Sequence, residues 1–272
     1  MDSFIKDCTH FIQEQCALRG FKKVVLGLSG GVDSAVVAYL ATLALGKNNV
    51  KTLLMPSMSS AQSHFDDALT LATLLDLEHK IIKLQPFQAA YMQNVDSYRE
   101  REDMAQKLAM GNFCARMRMA LLYDYASAQN ALVLGTSNKS ELLLGYGTIF
   151  GDLACALNPI GNLYKTQIFA LAQKLSVPEN IVRKMPSADL FANQSDEGDL
   201  GYSYSEIDNF LRAFVKLEGL RGEQEVHIRP HIKEALKREG FAEEMIESLS
   251  PRIWNNAFKR AMPLIFKGDF IL

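Results

Sequence analysis

Val24-Val25-Leu26-Gly27-Leu28-Ser29-Gly30-Gly31-Val32-Asp33-Ser34 is the stretch that decides the fold. Its opening run is apolar and β-branched, as in a strand buried on both faces, and Ser29-Gly30-Gly31 breaks it. From Val32 to Leu45 the pattern turns helical. A strand that hands over to a helix through two glycines presents backbone N–H groups and the positive end of the helix, and an anion can settle there. Ser29 and Ser34 add hydroxyls, and Asp33 adds a carboxylate able to hold a cation that bridges phosphates. The spacing is not that of a Walker A loop, because counting from Gly27 puts Val32 where the second glycine belongs. Nor is it the G-x-G-x-x-G of a dinucleotide fingerprint. Taken alone, the turn also reads as an ordinary strand-to-helix connection with an aspartate near the helix start.

The same alternation spreads outward. Phe4, Cys8, Phe11 and Ile12 form an amphipathic helix that Gly20 ends, and Asn49–Met55, His79–Leu84 and Ala131–Thr136 read as further buried strands. Helical patterns at about Gln62–Leu75 and at Phe113–Ala126 lie between them. Strands alternating with helices predict an α/β fold, an open and mostly parallel twisted sheet of Rossmann-like type with helices on both faces. From Lys165 onward the pattern is mostly helical, at Lys165–Leu175, Pro178–Met185, Ser205–Leu217, Pro230–Glu239 and Pro251–Met262. This predicts a nucleotide-binding core over about residues 20–190 and a helical C-terminal extension over about 200–272. With no repeat and no Pro/Gly/Ser linker, residues 1–272 read as a single domain. Tyr98–Asp103 is charged and loop-like, and Asn193–Asp199 is polar and without periodicity, which predicts a mobile loop.

Composition narrows the function. The 272 residues carry 29 Lys+Arg against 31 Asp+Glu, a formal net charge of −2, and are 48% hydrophobic. That is an ordinary globular balance, which argues against both disorder and a nucleic-acid partner held by bulk positive charge. Cys8, Cys16, Cys114 and Cys155 form no C-x-x-C pair, so neither a metal cluster nor a disulfide framework is expected. The start carries no secretory pattern, and the apolar stretch Ala35–Leu45 is too short to span a bilayer. A cytoplasmic protein without a membrane anchor is the expectation.

Ser29-Gly30-Gly31-Val32-Asp33-Ser34 resembles the PP-loop of the ATP pyrophosphatases, the adenine nucleotide alpha-hydrolase-like enzymes that split ATP into AMP and pyrophosphate while adenylating a substrate. Further blocks follow in order: Asn112–Met119, Gly135–Glu141, Gly145–Asp152, Asn158–Thr166, Pro186–Leu190 and Gln194–Glu197. Together they are similar to the short, ammonia-dependent NAD synthetases, over roughly residues 22–210. The resemblance implies ligation of ammonia to the nicotinate carboxylate of deamido-NAD, the last step of NAD biosynthesis, through an acyl-adenylate. The products would be NAD, AMP and pyrophosphate, and the enzyme a homodimer.

Residue by residue, the resemblance implies an ATP site of Gly27, Leu28, Ser29, Gly30, Gly31, Val32, Asp33, Ser34, Thr136, Lys165 and Ser187. It implies Mg²⁺ on Asp33 and Glu141, a hard cation that takes one or two carboxylates and leaves the rest of its shell to phosphate and water. Arg116, Tyr146, Asp152 and Lys259 would meet deamido-NAD, with Arg116 suited to gripping a phosphate by two parallel hydrogen bonds. Asp33, Lys165 and Asp152 are the catalytic candidates. Ile149, Ala156 and Phe258 depart from family positions that carry lysine, aspartate and histidine and serve deamido-NAD. Read without the resemblance, Lys165 is an exposed helix-opening lysine, Arg116 a surface arginine, and Asp33 and Glu141 helix charges. Two other classes fit less well. A tRNA-thiolating relative would carry paired cysteines, and a non-catalytic nucleotide sensor would not need Asp33, Glu141 and Lys165 together.

Overall fold

The computed structural model describes residues 1–95, 104–187, 194–219, 229–261, 263 and 265. Four strands, β1 (Lys23–Gly27), β2 (Val50–Leu54), β3 (Glu78–Ile81) and β4 (Ala131–Val133), form one sheet in the order β3-β2-β1-β4. Every pairing is parallel, with Val24 opposite both Val50 and Leu132. Side chains alternate across the sheet as the two-residue period requires. Val24, Leu26, Val50, Leu54 and Leu132 enter one core, packed by α1 (Asp2–Leu18), α2 (Val32–Leu45), α3 (Gln62–Leu74) and α7 (Lys165–Lys174). Val25, Leu53 and Val133 enter the other, covered by α4 (Gln85–Asn94) and α5 (Met104–Gln129). The expected α/β architecture with helices on both faces is what the chain adopts.

A second cluster of buried residues lies beyond the sheet. α10 (Tyr204–Gly219) contributes Ile207, Phe210, Leu211 and Phe214, α11 (Arg229–Arg238) Ile232 and Leu236, and α12 (Glu243–Asn255) Met245, Ile246, Leu249 and Ile253. Leu144 of α6 (Lys139–Leu144) and Tyr164 join it, so the helical extension docks against the elements that follow β4.

Several boundaries differ from the sequence reading. β3 is an exposed edge strand that ends at Ile81, opposite Leu54, the last residue of its partner β2, and Leu84 is buried beneath α5 instead, its N–H bonded to Pro56 O. Pro251 does not open a helix. It lies within α12, whose apolar stripe starts at Met245. The stretch Asn193–Asp199 was expected to be a loop, yet its described part carries α9 (Asp196–Leu200), capped by the Ser195 hydroxyl and anchored by buried Leu200. Five residues are too few for a helical period to register. Asn193 and the segment Tyr98–Asp103 lie outside the described residues.

β1 is the switch point of the sheet: β2 and β3 extend to one side of it, and β4 lies on the other. In open parallel sheets ligands bind in the crevice that this reversal opens at the carboxyl ends of the strands. The loops after β1 and β4 carry Asp33 and Glu141 to that edge.

Candidate active site

The loop after β1 is braced from within. Ser29 Oγ accepts from Gly31 N–H at 3.2 Å, and Ser34 Oγ, 3.0 Å from Ser29 Oγ, donates to Gly31 O at 3.0 Å. The two hydroxyls thus hold the loop's shape as well as facing the cavity. Gly30 has φ +80°, and a Cβ there would sit 2.0 Å from His64 O, so only glycine fits. Gly31 caps α2 without a side-chain hydrogen bond, and the first amides of a 14-residue helix therefore face the crevice.

That crevice is a cavity of about 660 Å³. Gly27, Leu28, Ser29, Gly31, Val32, Asp33, Ser34, Thr136, Glu141, Tyr146, Asp152, Lys165, Ser187 and Lys259 line it. Of the ATP, metal and deamido-NAD residues that the resemblance implies, Gly30 and Arg116 are not in the lining, and neither are the departing positions Ile149, Ala156 and Phe258. Gly30 supports the loop from behind, against α3. Arg116 is exposed on the outer face of α5, and Arg118, two residues on, lines the cavity and donates to Met55 O at 3.1 Å.

Lys165 is the centre of the site. Its Nζ lies 2.6 Å from Asp33 Oδ2 and 3.4 Å from Glu141 Oε1, and 5.2 Å above the ring of Tyr204. It is 3% exposed, which overturns the reading of a solvated lysine. Burial alone would lower its pKa, but Asp33, Glu141 and Asp196 together raise it, so it remains an ammonium. Three carboxylates share this one ammonium. Burial, followed by the charge of Asp33, pushes Glu141 up, and burial pushes Asp196 up against the pull of Lys165.

Asn138 ties this group together. Its side chain donates to Asp33 Oδ1 at 3.0 Å and accepts from Glu141 N–H at 3.1 Å, while Glu141 Oε2 accepts from Asn138 N–H at 3.1 Å. This capping box opens α6 and fixes the Glu141 carboxylate toward β1. Asn138-x-x-Glu141 is legible as a helix-start signature, but nothing in the sequence says that the cap also reaches Asp33.

Asp196 was missed as a site residue. It is buried and lines the cavity, accepts from Tyr204 Oη at 2.9 Å, and its Oδ1 is buried without a hydrogen-bond partner. The polar run around it disguised an inward-facing carboxylate. Among the described residues no group of three or more His, Cys, Asp and Glu is gathered as a ready metal site. The donor set still suits a hard divalent cation: two carboxylates at one sheet edge, with a third close by, gathered around the Lys165 ammonium.

The far wall holds Asp152 and Lys259. Asp152 Oδ1 accepts from Thr148 N–H at 2.9 Å. The carboxylate is open to the cavity yet ringed by protein atoms, and that burial raises its pKa above the ordinary aspartate range. Lys259 donates to Gly145 O at 2.8 Å and Gly147 O at 3.0 Å, and burial lowers its pKa against the opposing charge of Asp152. Tyr146 Oη donates to Asp199 at 2.8 Å. Lys184, a further lining residue, pairs with Asp67 and reaches Gly30 O at 3.4 Å.

A parallel sheet with a glycine-braced loop at its switch point, a helix N-terminus and a buried lysine facing carboxylates defines a nucleotide-binding α/β protein of PP-loop type. The chain belongs to the NAD synthase family, whose profile matches residues 4–263. It is 65% identical to an NH(3)-dependent NAD(+) synthetase of Helicobacter hepaticus, covering 98% of this chain and 99% of that protein, and 47% identical to that of Wolinella succinogenes. Among solved structures it is similar to the NH3-dependent NAD synthetase of Campylobacter jejuni, with TM-score 0.77 and 41% identity over 98% of both chains. It is also similar to the NMN synthetase of Francisella tularensis, with TM-score 0.79 and 32% identity over 98% of both chains.

Proposed function

We propose that the protein is an ammonia-dependent NAD synthetase, a ligase that amidates deamido-NAD at the expense of ATP. The observation that carries this reading is the buried Lys165 ammonium beside Asp33 at the mouth of the β1 loop. A carboxylate resists nucleophiles because its charge repels them and oxide is a hopeless leaving group. A nicotinate oxygen therefore attacks the α-phosphorus, the bond to pyrophosphate breaks, and a mixed anhydride forms. Ammonia then attacks the carbonyl carbon, AMP leaves, and the nitrogen loses a proton.

The chain's own groups act at each stage. Amides of the β1 loop and the α2 N-terminus hold phosphate oxygens, and Lys165 stabilises charge on the departing pyrophosphate. Asp33 and Glu141 would hold Mg²⁺, which supplies neutralisation of phosphate charge. Thr136 and Ser187 meet the nucleotide from the β4 side and the far rim. Asp152, made more basic by burial, binds ammonium or takes its proton, and Tyr146 and Lys259 form the deamido-NAD wall.

No described helix is long and apolar enough to cross a membrane, which fits work in the cytoplasm. We further infer a homodimer joined through the outer face of α5, where Arg116, Ala120 and Tyr123 are exposed. Phe113, Met117 and Leu121, the apolar stripe of the same helix, pack on the sheet. Arg116 then meets deamido-NAD at the subunit boundary.

Mass-spectrometric product analysis tests the function. With ATP, Mg²⁺, deamido-NAD and ammonium, NAD, AMP and pyrophosphate should appear together, and glutamine should not replace ammonium. Formation of ADP and phosphate, or amidation of nicotinate mononucleotide in preference to deamido-NAD, would overturn it.

A further inference from the structure

α10 carries one charged residue on an otherwise apolar face: Asp208, between Ile207 and Phe210, and 1% exposed. A carboxylate in a hydrophobic core is costly unless it is fully used. Both oxygens are used here. Oδ1 accepts from Ser140 Oγ at 2.5 Å, and Oδ2 accepts from Thr166 N–H at 2.8 Å. Ser140 Oγ in turn accepts from Lys165 N–H at 3.0 Å.

These bonds join three helices at one point. Lys165 and Thr166 are the first two residues of α7, whose opening amides have no partner within the helix. Ser140 directly precedes Glu141 on α6. The Asp208 carboxylate thus caps α7, orients the hydroxyl beside Glu141, and places negative charge at the helix end where the Lys165 ammonium is least favoured. Tyr204, one turn earlier on α10, sets its ring under Lys165 Nζ and its hydroxyl on Asp196.

We infer that Asp208 is a positioning residue through which the helical extension sets the Lys165 ammonium against Asp33 and Glu141. The inference rests on the phosphate-binding role given to Lys165 above. Asp208 touches no reactant; it acts through Ser140 and the α7 backbone. An amide at position 208 keeps one acceptor oxygen where two are needed, so either the Ser140 hydroxyl or the Thr166 N–H would face an NH2 donor. The start of α7 would shift.

A double-mutant cycle between Asp208→Asn and Lys165→Met tests this, read as steady-state kcat and KM for ATP and as calorimetric affinity for α,β-methylene ATP with Mg²⁺. We expect Asp208→Asn to lower kcat/KM for ATP about 30-fold and Lys165→Met about 10³-fold, with the double variant within about 2-fold of Lys165→Met. Calorimetry should show the same non-additivity. Losses that multiply, or an Asp208→Asn protein with normal turnover, would overturn the inference, because a purely stabilising residue would act independently of Lys165. Near-normal turnover in Lys165→Met would instead overturn the role of Lys165 itself. If Asp208→Asn does not fold, Ser140→Ala breaks the same relay with a smaller change and enters the same cycle.

Discussion

Gly30→Ala offers a direct test of the phosphate loop, because the structure supplies both its size and its control. Gly30 has φ +80°, where an L-residue is strained by about 1–2 kcal/mol. The added Cβ would also lie 2.0 Å from His64 O, well inside the 3.0 Å that real Cβ contacts respect. Both atoms belong to backbone regions, so no side chain can rotate away, and the loop must move by about 1 Å relative to α3. A misplacement of that size costs about 10²-fold in rate when the displaced group positions a reactant. Gly20 is the control. Its φ is +75°, but nothing lies within 4 Å of its Cβ position. Gly20→Ala therefore carries the same dihedral strain without the clash. At about 2 °C per kcal/mol for a chain of this size, strain alone lowers Tm by about 2–4 °C in either variant. Pyrophosphate release with saturating deamido-NAD, ammonium and Mg²⁺, paired with thermal unfolding, separates the two. Gly20→Ala should keep full turnover, and Gly30→Ala should lose about 10²-fold in kcat/KM for ATP. Equal turnover in the two variants would refute a phosphate-holding role for the loop.

Three further outcomes follow from the same geometry. Asp33→Asn keeps the side-chain shape but gives up a carboxylate facing Lys165, and turnover at saturating ATP and Mg²⁺ should fall by about two orders of magnitude or more; a near-normal rate would remove Asp33 from the reaction. Tyr123→Glu, on the exposed face of α5, should shift the protein from dimer to monomer in light scattering, whereas an unmodified protein that is active as a monomer would defeat the dimer. Glu78 has its pKa lowered by its hydrogen bond with Lys51, so the carboxylate stabilises the fold above its unfolded pKa and loses that contribution as pH falls through the lower folded value. Glu78→Gln should therefore reduce stability to urea at pH 7 and match the parent in acid; a difference that persists unchanged below pH 3 would contradict the pairing.

What could be read from the sequence was whatever local pattern determines. The run Val24–Leu28 and its glycines made the strand and the turn that ends it legible, because a buried strand and a positive-φ glycine leave few alternatives. Asp33 and Glu141 were legible as partners because each follows a strand at the same sheet edge. The missed features depend on contacts across long sequence separations. Asp196 lies in a polar run that looks solvated, yet the fold turns it inward toward Lys165 and Tyr204. Arg118 and Arg116 lie on one helix, and only the rotation of α5 against the sheet decides that Arg118 faces the cavity. Asp208 did leave a trace, a carboxylate at an apolar helical position, but its partners Ser140 and Thr166 are 68 and 42 residues away.

The balance of charge in the cavity bears on how the substrates are admitted. Asp33, Glu141 and Asp196 face a single Lys165, so the centre of the site is short of positive charge. The other cations of the lining are held away from this centre: Lys184 by Asp67, Lys259 by two backbone carbonyls and the charge of Asp152, Arg118 by Met55 O and the same aspartate, and Arg252 beside Lys259. ATP carries several negative charges of its own, and like charges in a partly desolvated cavity repel strongly. A triphosphate arriving with a divalent cation brings the positive charge that this centre lacks, whereas the bare triphosphate adds to the excess. ATP binding should therefore be tightly linked to Mg²⁺. The linkage should weaken in Asp33→Asn, where the acidic excess is smaller. Calorimetric titration of α,β-methylene ATP with and without Mg²⁺ measures it in both proteins. Equal affinity for the analogue with and without the cation in the parent would show that the helix N-terminus and Lys165 suffice, and would end the argument for a charge-deficient centre.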